Sequence, residues 1–209
     1  MNAPPRKDDL IVVVPDSHVQ ATINSLLVRH ESLGIRPISF RVQPFSRRDP
    51  GCLRESHDLL RSFRSRFDFA MVMFDRHGSG QEHKSREELE REVEEKLQAC
   101  GWKNAACAVV FDPELEIWVW SDSREVDNTL GWAGGGLDMR SWLTEHEFLS
   151  ANEDKPRQPK KAMHAALRQV GKPPSASLFR DLAARVSLRR CVDPAFAKLK
   201  STLQGWFPG

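Results

Sequence analysis

Residues 67–80 read FDFAMVMFDRHGSG, a stretch in which an apolar run ends on an acidic residue. The six residues 69–74 carry no polar side chain, which is typical of a strand that is covered on both faces. Such a strand lies in the interior of a sheet. Asp75 and His77 would then leave its carboxyl end on a turn that contains two glycines. Because open α/β sheets bind their ligands at this edge, the stretch predicts functional residues there.

The composition is typical of a globular protein. At 209 residues, with 40% hydrophobic and 29% charged side chains, the chain is long enough for one domain with a small appendage. No apolar run approaches the roughly 18 residues of a membrane-spanning helix, so we expect no membrane insertion. Residues 1–9 lack the apolar segment of a secretory signal, and a cytoplasmic protein is therefore expected.

The charge is distributed unevenly along the chain. Residues 155–209 carry twelve lysine or arginine residues against two aspartates, a net charge of +10, whereas the rest of the chain carries −8. A basic region of this kind favours a polyanionic partner such as nucleic acid. Packing of the basic region on the acidic body of the same chain is an equally good interpretation.

Four stretches have the pattern of a strand, and each is followed by a helical pattern. Alternation of this kind predicts an α/β fold with a mainly parallel sheet of about four strands and helices on both faces. Pro37 and an alternating pattern place the second strand near an edge, while the strand order stays open. The predicted strands lie at 10–14, 38–42, 69–74 and 105–111.

Helical patterns continue to the end of the chain. A capping box at residues 85–88 begins the helix that follows the glycine turn, and the acid-rich face of this helix is expected to be solvated (Glu90, Glu92, Glu94 and Glu95). Three further helices are predicted near 162–170, 178–186 and 196–207. We therefore expect an α/β domain over residues 1–150 and a basic helical extension over 151–209 that packs on it.

Acidic residues follow three of the predicted strands. Asp16, Asp75 and Asp112 each stand just past a strand, and parallel strands deliver these ends to one edge of the sheet. Converging carboxylates, with Glu114 and Glu116 close by, suit a hard divalent cation such as Mg²⁺. The alternative is that Asp16 and Asp112 only cap helices.

Histidines flank two of these acids. His18 and His77 are candidates to bind a metal, orient a water molecule or contact a phosphate, and ordinary surface or core positions are the alternative. The Gly78–Gly80 turn lacks the Gly-Lys-Ser/Thr ending of a nucleotide-triphosphate loop, which argues against that class of enzyme.

Several stretches together resemble the TOPRIM-like proteins of bacterial phage-defence islands, among them a small component of the methylation-associated defence systems. The similarity rests on Asp75-Arg76-His77 after an apolar strand, on an acid after the first strand, and on residues 112–118, which read DPELEIW. Residues 155–162 and 189–196 of the basic region are similar as well.

The resemblance implies a TOPRIM-like fold and a magnesium site that cuts or joins nucleic-acid strands. In that family a glutamate after the first strand and an Asp-x-Asp pair after a later strand bind Mg²⁺. In this chain Asp16 stands near the place of the glutamate, and His77 replaces the second aspartate. An imidazole ligand moves the preference from Mg²⁺ towards Mn²⁺ or Zn²⁺.

Two hypotheses follow. The first is a metal-dependent nuclease of a defence system, in which Asp16, Asp75 and His77 hold a Mg²⁺ or Mn²⁺ ion and Glu114 or Glu116 completes the shell or acts as a base. The second is a degenerate, non-catalytic subunit that binds DNA or a partner defence protein. In both, the basic region supplies the nucleic-acid-binding residues, namely Lys160, Lys161, Arg168, Arg189 and Arg190.

Overall fold

The fold is built on one parallel sheet. The computed structural model describes residues 7–121, 123–133, 136, 138–150 and 152–209, except for the side chain of Arg190. Within these residues, four parallel strands form a sheet in the spatial order β2-β1-β3-β4. The predicted parallel α/β architecture is therefore confirmed, with β3 inside the sheet and β2 at an edge. The strands are β1 (Asp8–Val14), β2 (Phe40–Pro44), β3 (Phe67–Asp75) and β4 (Ala106–Phe111).

Helices follow each strand and continue to the end of the chain. The helical pattern after β1 forms two helices, and a helix at Arg124–Leu130 has no counterpart in the prediction. No helix in the described part of the chain is both long and apolar enough to cross a membrane. The helices are α1 (Ser17–Leu27), α2 (His30–Leu33), α3 (Arg48–Arg61), α4 (Arg86–Ala99), α5 (Arg124–Leu130), α6 (Met139–Glu145), α7 (Pro159–Gln169), α8 (Ala176–Arg185) and α9 (Pro194–Trp206), with 3₁₀ helices at Lys103–Ala105, Leu115–Trp118 and Leu188–Arg190.

Alternate residues of β3 enter two different cores. Ala70, Val72 and Phe74 pack in the core that α3 and α4 cover. Met71 and Met73 point to the opposite face, where they belong to a core that includes side chains from α1, α8 and α9. Because successive residues of a strand point to opposite faces, an unbroken apolar run is what a strand between two cores requires.

The C-terminal helices complete the second core. Phe196, Leu199 and Leu203 of α9 are buried together with Val12 and Val109 of the sheet, and α8 packs against α1. Apolar side chains from both sides of the predicted boundary at residues 150 and 151 thus belong to one continuous core. Removing the helices after residue 151 would expose one face of the sheet.

The free edge of β4 is covered by carboxylates from α4. The backbone N–H groups of Ala108 and Val110 donate to Glu94 Oε1 and Glu90 Oε1, each at 3.0 Å. Lys198 Nζ of α9 lies 2.8 Å from Glu94 Oε1 and 3.0 Å from Glu90 Oε2. The prediction that Glu90 and Glu94 lie on a solvated face is wrong for Glu90, which is buried, because this edge needs hydrogen-bond acceptors.

Replacing Lys198 by methionine should destabilise the fold by about 2 kcal/mol, because the buried Glu90 carboxylate loses one charged hydrogen-bond partner and keeps only Arg86. Urea unfolding of the Lys198→Met variant measures this loss. Lys200→Met is the matched control, since Lys200 lies on the same helix and makes no hydrogen bond or ion pair with the described residues. Equal stabilities of the two variants would contradict a structural role for Lys198.

Candidate functional site

Five carboxylates gather at the carboxyl edge of the sheet. Asp16 follows β1, Asp49 lies in the first turn of α3, Asp75 ends β3, and Glu114 and Glu116 follow β4. Their charges act on one another: Asp16 raises the pKa of Asp49 and of Glu116, and Asp49 and Glu116 raise the pKa of Asp75, in each case in addition to burial. We call these five residues the acidic cluster.

Asp75 connects three elements at this edge. Its Oδ1 accepts a hydrogen bond of 2.9 Å from the backbone N–H of Leu115, and its own N–H donates to Asp49 Oδ1 at 2.9 Å. Burial raises the pKa of Asp75 well above its usual range, and the neighbouring Asp49 and Glu116 charges add to the effect, although Lys160 opposes it. The carboxylate is therefore held in place where negative charge is costly.

Glu116 is, like Asp75, a buried member of the acidic cluster. It lies on the 3₁₀ helix Leu115–Trp118, which is fixed by a hydrogen bond of 2.9 Å from Trp118 Nε1 to Asp193 Oδ1. Its side chain is only 4% exposed, and its Oε2 has no hydrogen-bond partner among the described residues. Burial, with the charges of Glu114 and Asp16, raises the pKa of Glu116 to about 7 in spite of Lys160. A buried oxygen without a partner is an open position for a proton or a cation.

Lys160 brings a positive charge to the acidic cluster from the start of α7. Its backbone N–H donates to Glu114 Oε1 at 3.0 Å, and its Nζ lies 3.9 Å from Glu116 Oε1. The helix start is fixed by Trp120, whose Nε1 donates to the carbonyl of Pro159 at 3.0 Å. Burial lowers the pKa of Lys160, but the surrounding carboxylates, Glu116 first among them, raise it above its ordinary value. Lys160 is therefore an internal counter-ion of the site.

Asp16 and Asp112 have structural roles. Asp16 Oδ1 caps α1 by accepting hydrogen bonds from the backbone N–H groups of His18 and Val19 at 2.8 and 3.0 Å. Asp112 pairs with Arg76 Nε at 2.7 Å. For Asp16 the helix cap that the sequence left open as an alternative is thus what forms, while its charge still acts on the acidic cluster.

The two histidines lie outside this cluster. His77 is exposed, donates its backbone N–H to the carbonyl of Pro113 at 2.9 Å, and exerts its charge on Glu82. The His18 ring stacks on Phe179, with the ring centroids 4.7 Å apart. His77 thus follows Asp75 in sequence but makes no hydrogen bond or ion pair with the acidic cluster among the described residues.

A metal site at this edge remains a prediction. Among the described residues, no group of three or more His, Cys, Asp or Glu side chains is arranged to hold a metal ion, and Asp16, Asp75 and His77 do not form the expected set. A hard divalent cation still fits the chemistry of the acidic cluster, because its donors are carboxylate oxygens and Glu116 Oε2 lacks a partner. Asp49, Asp75 and Glu116 are the residues that would hold such an ion.

A basic surface begins where the acidic cluster ends. Lys160, Lys161, His164 and Arg168 of α7 line an open recess together with Phe148. Burial lowers the pKa of His164, and the charges of Lys160, Arg168 and His18 lower it further. We call the four α7 residues the basic surface. Arg189 is exposed on a 3₁₀ helix elsewhere, and the side chain of Arg190 lies outside the described residues.

The sequence did not predict the roles of two residues of this site, Asp49 and Lys160. Asp49 is not among the candidates from the sequence, because it does not directly follow a strand but lies in the first turn of the helix after β2. Lys160 was assigned to nucleic-acid binding alone. No local pattern could have placed its ammonium beside Glu116, because the two residues are 44 positions apart in the sequence.

Comparisons of the chain with protein-family models, with curated proteins and with solved structures give no match. What the protein does must therefore be inferred from its own side chains.

The raised pKa of Glu116 makes stability depend on pH. The pKa rises from its ordinary 4.5 to about 7 on folding, so the folded state holds this proton more tightly than the unfolded chain does. The stability that the proton provides is complete below about pH 4.5 and is lost as the pH rises through 7. Glu116→Gln should therefore be more stable than the wild type at about pH 8, by up to about 3 kcal/mol, and nearly equal to it at about pH 5.

Urea unfolding at both pH values measures this difference. Glu95→Gln is the control, since Glu95 is an exposed residue of α4 and should show no such dependence. If the advantage of Glu116→Gln is the same at both pH values, the Glu116 carboxylate does not titrate as described.

Proposed function

We propose that the protein is a component of a bacterial anti-phage defence system. It cleaves phosphodiester bonds in nucleic acid, with DNA as the expected substrate, and uses a divalent metal ion held by the acidic cluster. The observation that carries the proposal is the buried Glu116 carboxylate at the carboxyl edge of the sheet, near Asp75. Its Oε2 has no hydrogen-bond partner in the part of the chain that the structure describes. The resemblance to TOPRIM-like defence proteins in the stretches around Asp75 and residues 112–118 supports the same assignment.

A divalent ion bound there would neutralise phosphate charge and activate a water molecule. Asp49, Asp75 and Glu116 would bind it, and their backbone anchors keep the first two carboxylates in place before any substrate arrives. Glu114 is fixed by the backbone N–H of Lys160, so it positions α7 rather than reaching the ion.

Lys160 links the acidic cluster to the basic surface. Its side chain is 46% exposed, and its Nζ lies 3.9 Å from Glu116 Oε1, a separation longer than a hydrogen bond. A cation entering the acidic cluster would take over the neutralisation of Glu116. Lys160 would then be free to contact a phosphate of the strand that lies along α7.

Replacing Asp75 by asparagine should abolish cleavage by the purified protein. The test substrates are single-stranded DNA, duplex DNA and RNA, each with Mg²⁺ or Mn²⁺ and with a chelator. We expect cleavage that the chelator stops and that falls on the order of 100-fold or more in Asp75→Asn. Glu95→Gln should cleave as the wild type does. Cleavage that survives both the chelator and Asp75→Asn would refute the proposal.

A non-catalytic subunit that binds DNA or a partner defence protein is the second candidate. It is favoured by Lys160, which already neutralises part of the acidic cluster, and by the lack of a preformed three-residue metal group in the described part of the chain. Calorimetric titration with Mn²⁺ separates the two candidates. No binding at millimolar Mn²⁺, together with retained nucleic-acid binding, would favour the non-catalytic subunit.

The basic surface should make nucleic-acid binding depend steeply on salt. Each phosphate contact by lysine or arginine releases counterions, so Lys161→Gln combined with Arg168→Gln should lower the slope of log affinity against log salt by about 2. Arg91→Gln combined with Lys103→Gln is the control, because these exposed residues lie on and just after α4 and change the net charge equally. Equal slopes for the two double variants would move the interface away from α7.

A further inference from the structure

The glycine turn after β3 presents converging backbone N–H groups outside the acidic cluster. The N–H groups of Gly78 and Gly80 donate to Glu82 Oε1 at 3.0 and 3.2 Å. Gly78 and Gly80 have φ values of +91° and +77°, which L-residues with side chains rarely adopt. Convergent backbone N–H groups of this kind form an anion-binding nest. We call these two N–H groups the glycine nest.

Basic side chains surround the glycine nest. Arg76 Nη1 donates to the carbonyl of Glu82 at 2.7 Å, and a Cβ atom placed on Gly80 would lie 3.2 Å from Arg54 Nη2. The backbone N–H groups, with a smaller contribution from His77, lower the pKa of Glu82. The Glu82 carboxylate thus already accepts the two N–H groups of the glycine nest, and two arginine side chains lie close to the same turn.

The glycine nest adjoins the acidic cluster. A Cβ atom placed on Gly78 would lie 3.7 Å from Asp49 Oδ2, so the first glycine of the turn borders a carboxylate of the cluster. Gly78 also follows Asp75 by only three residues. An anion in the glycine nest would therefore lie beside the place where a cation is favoured.

We propose that the glycine nest binds a phosphate group of the nucleic-acid strand and that the Glu82 carboxylate occupies the nest until the strand displaces it. This inference rests on the proposed function, because it assigns a phosphate-bearing substrate to the same edge of the sheet. Glu82 is fully exposed and belongs to the turn itself, so it can leave the nest without disturbing a core. Such an internal competitor weakens the observed binding of phosphate, because only the fraction of molecules in which the nest is free can bind it.

The test is an NMR titration that follows the amide signals of Gly78 and Gly80. Inorganic phosphate and a short single-stranded DNA are added in turn to wild type and to Glu82→Ala. A peptide nucleic acid of the same base sequence, which carries no phosphate, is the ligand control. Glu95→Ala is the protein control, since it removes the same charge from an exposed position of α4.

We expect both phosphate-bearing ligands to shift the Gly78 and Gly80 amides and to bind Glu82→Ala roughly tenfold more tightly than the wild type or Glu95→Ala. The peptide nucleic acid should leave these amides unchanged. The inference is overturned if Glu82→Ala binds no more tightly than Glu95→Ala, if the shifts occur elsewhere, or if inorganic phosphate binds and DNA does not.

This titration measures binding and needs no cleavage. Loss of cleavage in every preparation, with the glycine amides still responding to DNA, would refute the proposed nuclease but not the phosphate site. Metal-dependent cleavage that Asp75→Asn abolishes, without any response of the glycine amides, would refute the phosphate site alone.

Discussion

The hydrogen bonds of Asp75 are the constraint on which the carboxyl edge of the sheet depends. Its carboxylate fixes the chain that leaves β4, and its backbone N–H fixes the start of α3 through Asp49. Both contacts are made by a residue that is buried at the end of the central strand. Placing charge there is unfavourable, and two apolar cores on either side of β3 supply the stability that offsets it. Folded proteins commonly retain such unfavourable charge where it serves a function.

The sequence predicted those parts of the fold that follow from local patterns. The apolar run of residues 69–74 correctly indicated a central strand, and the alternation of strands and helices correctly indicated a parallel sheet with acidic residues at one edge. The burial of Glu90 was missed, because a glutamate on an acid-rich helix has no local signal that it faces the edge of β4. The position of Lys160 was missed for the same reason. Both depend on which distant element packs beside them.

Packing on the acidic body accounts for part of the basic region, and the interpretation as a polyanion-binding surface stays a prediction. Lys198 pairs with Glu90 and Glu94, and Lys160 lies against Glu116. These two basic residues thus neutralise carboxylates in the acidic body of the chain. Lys161 and Arg168 remain exposed on α7 and are free to meet another molecule. The helix is thus fixed by one charged residue and presents its neighbours outwards. The net charge of +10 could not distinguish these roles, because it does not tell which side chains face the body of the chain and which face solvent.

At this edge of the sheet, a place that favours a positive charge lies next to one that favours a negative charge. Asp75 and Glu116 have raised pKa values because burial and neighbouring carboxylates disfavour further negative charge, whereas Glu82 has a lowered pKa because backbone N–H groups stabilise its anion. The two environments are separated by the short turn from Asp75 to Glu82. Under the proposed function, a phosphate group with an associated cation would meet a favourable partner on each side, whereas a neutral ligand would meet neither. In the free protein two groups of the chain itself take these places, because Lys160 lies beside Glu116 and the Glu82 carboxylate accepts the N–H groups of Gly78 and Gly80.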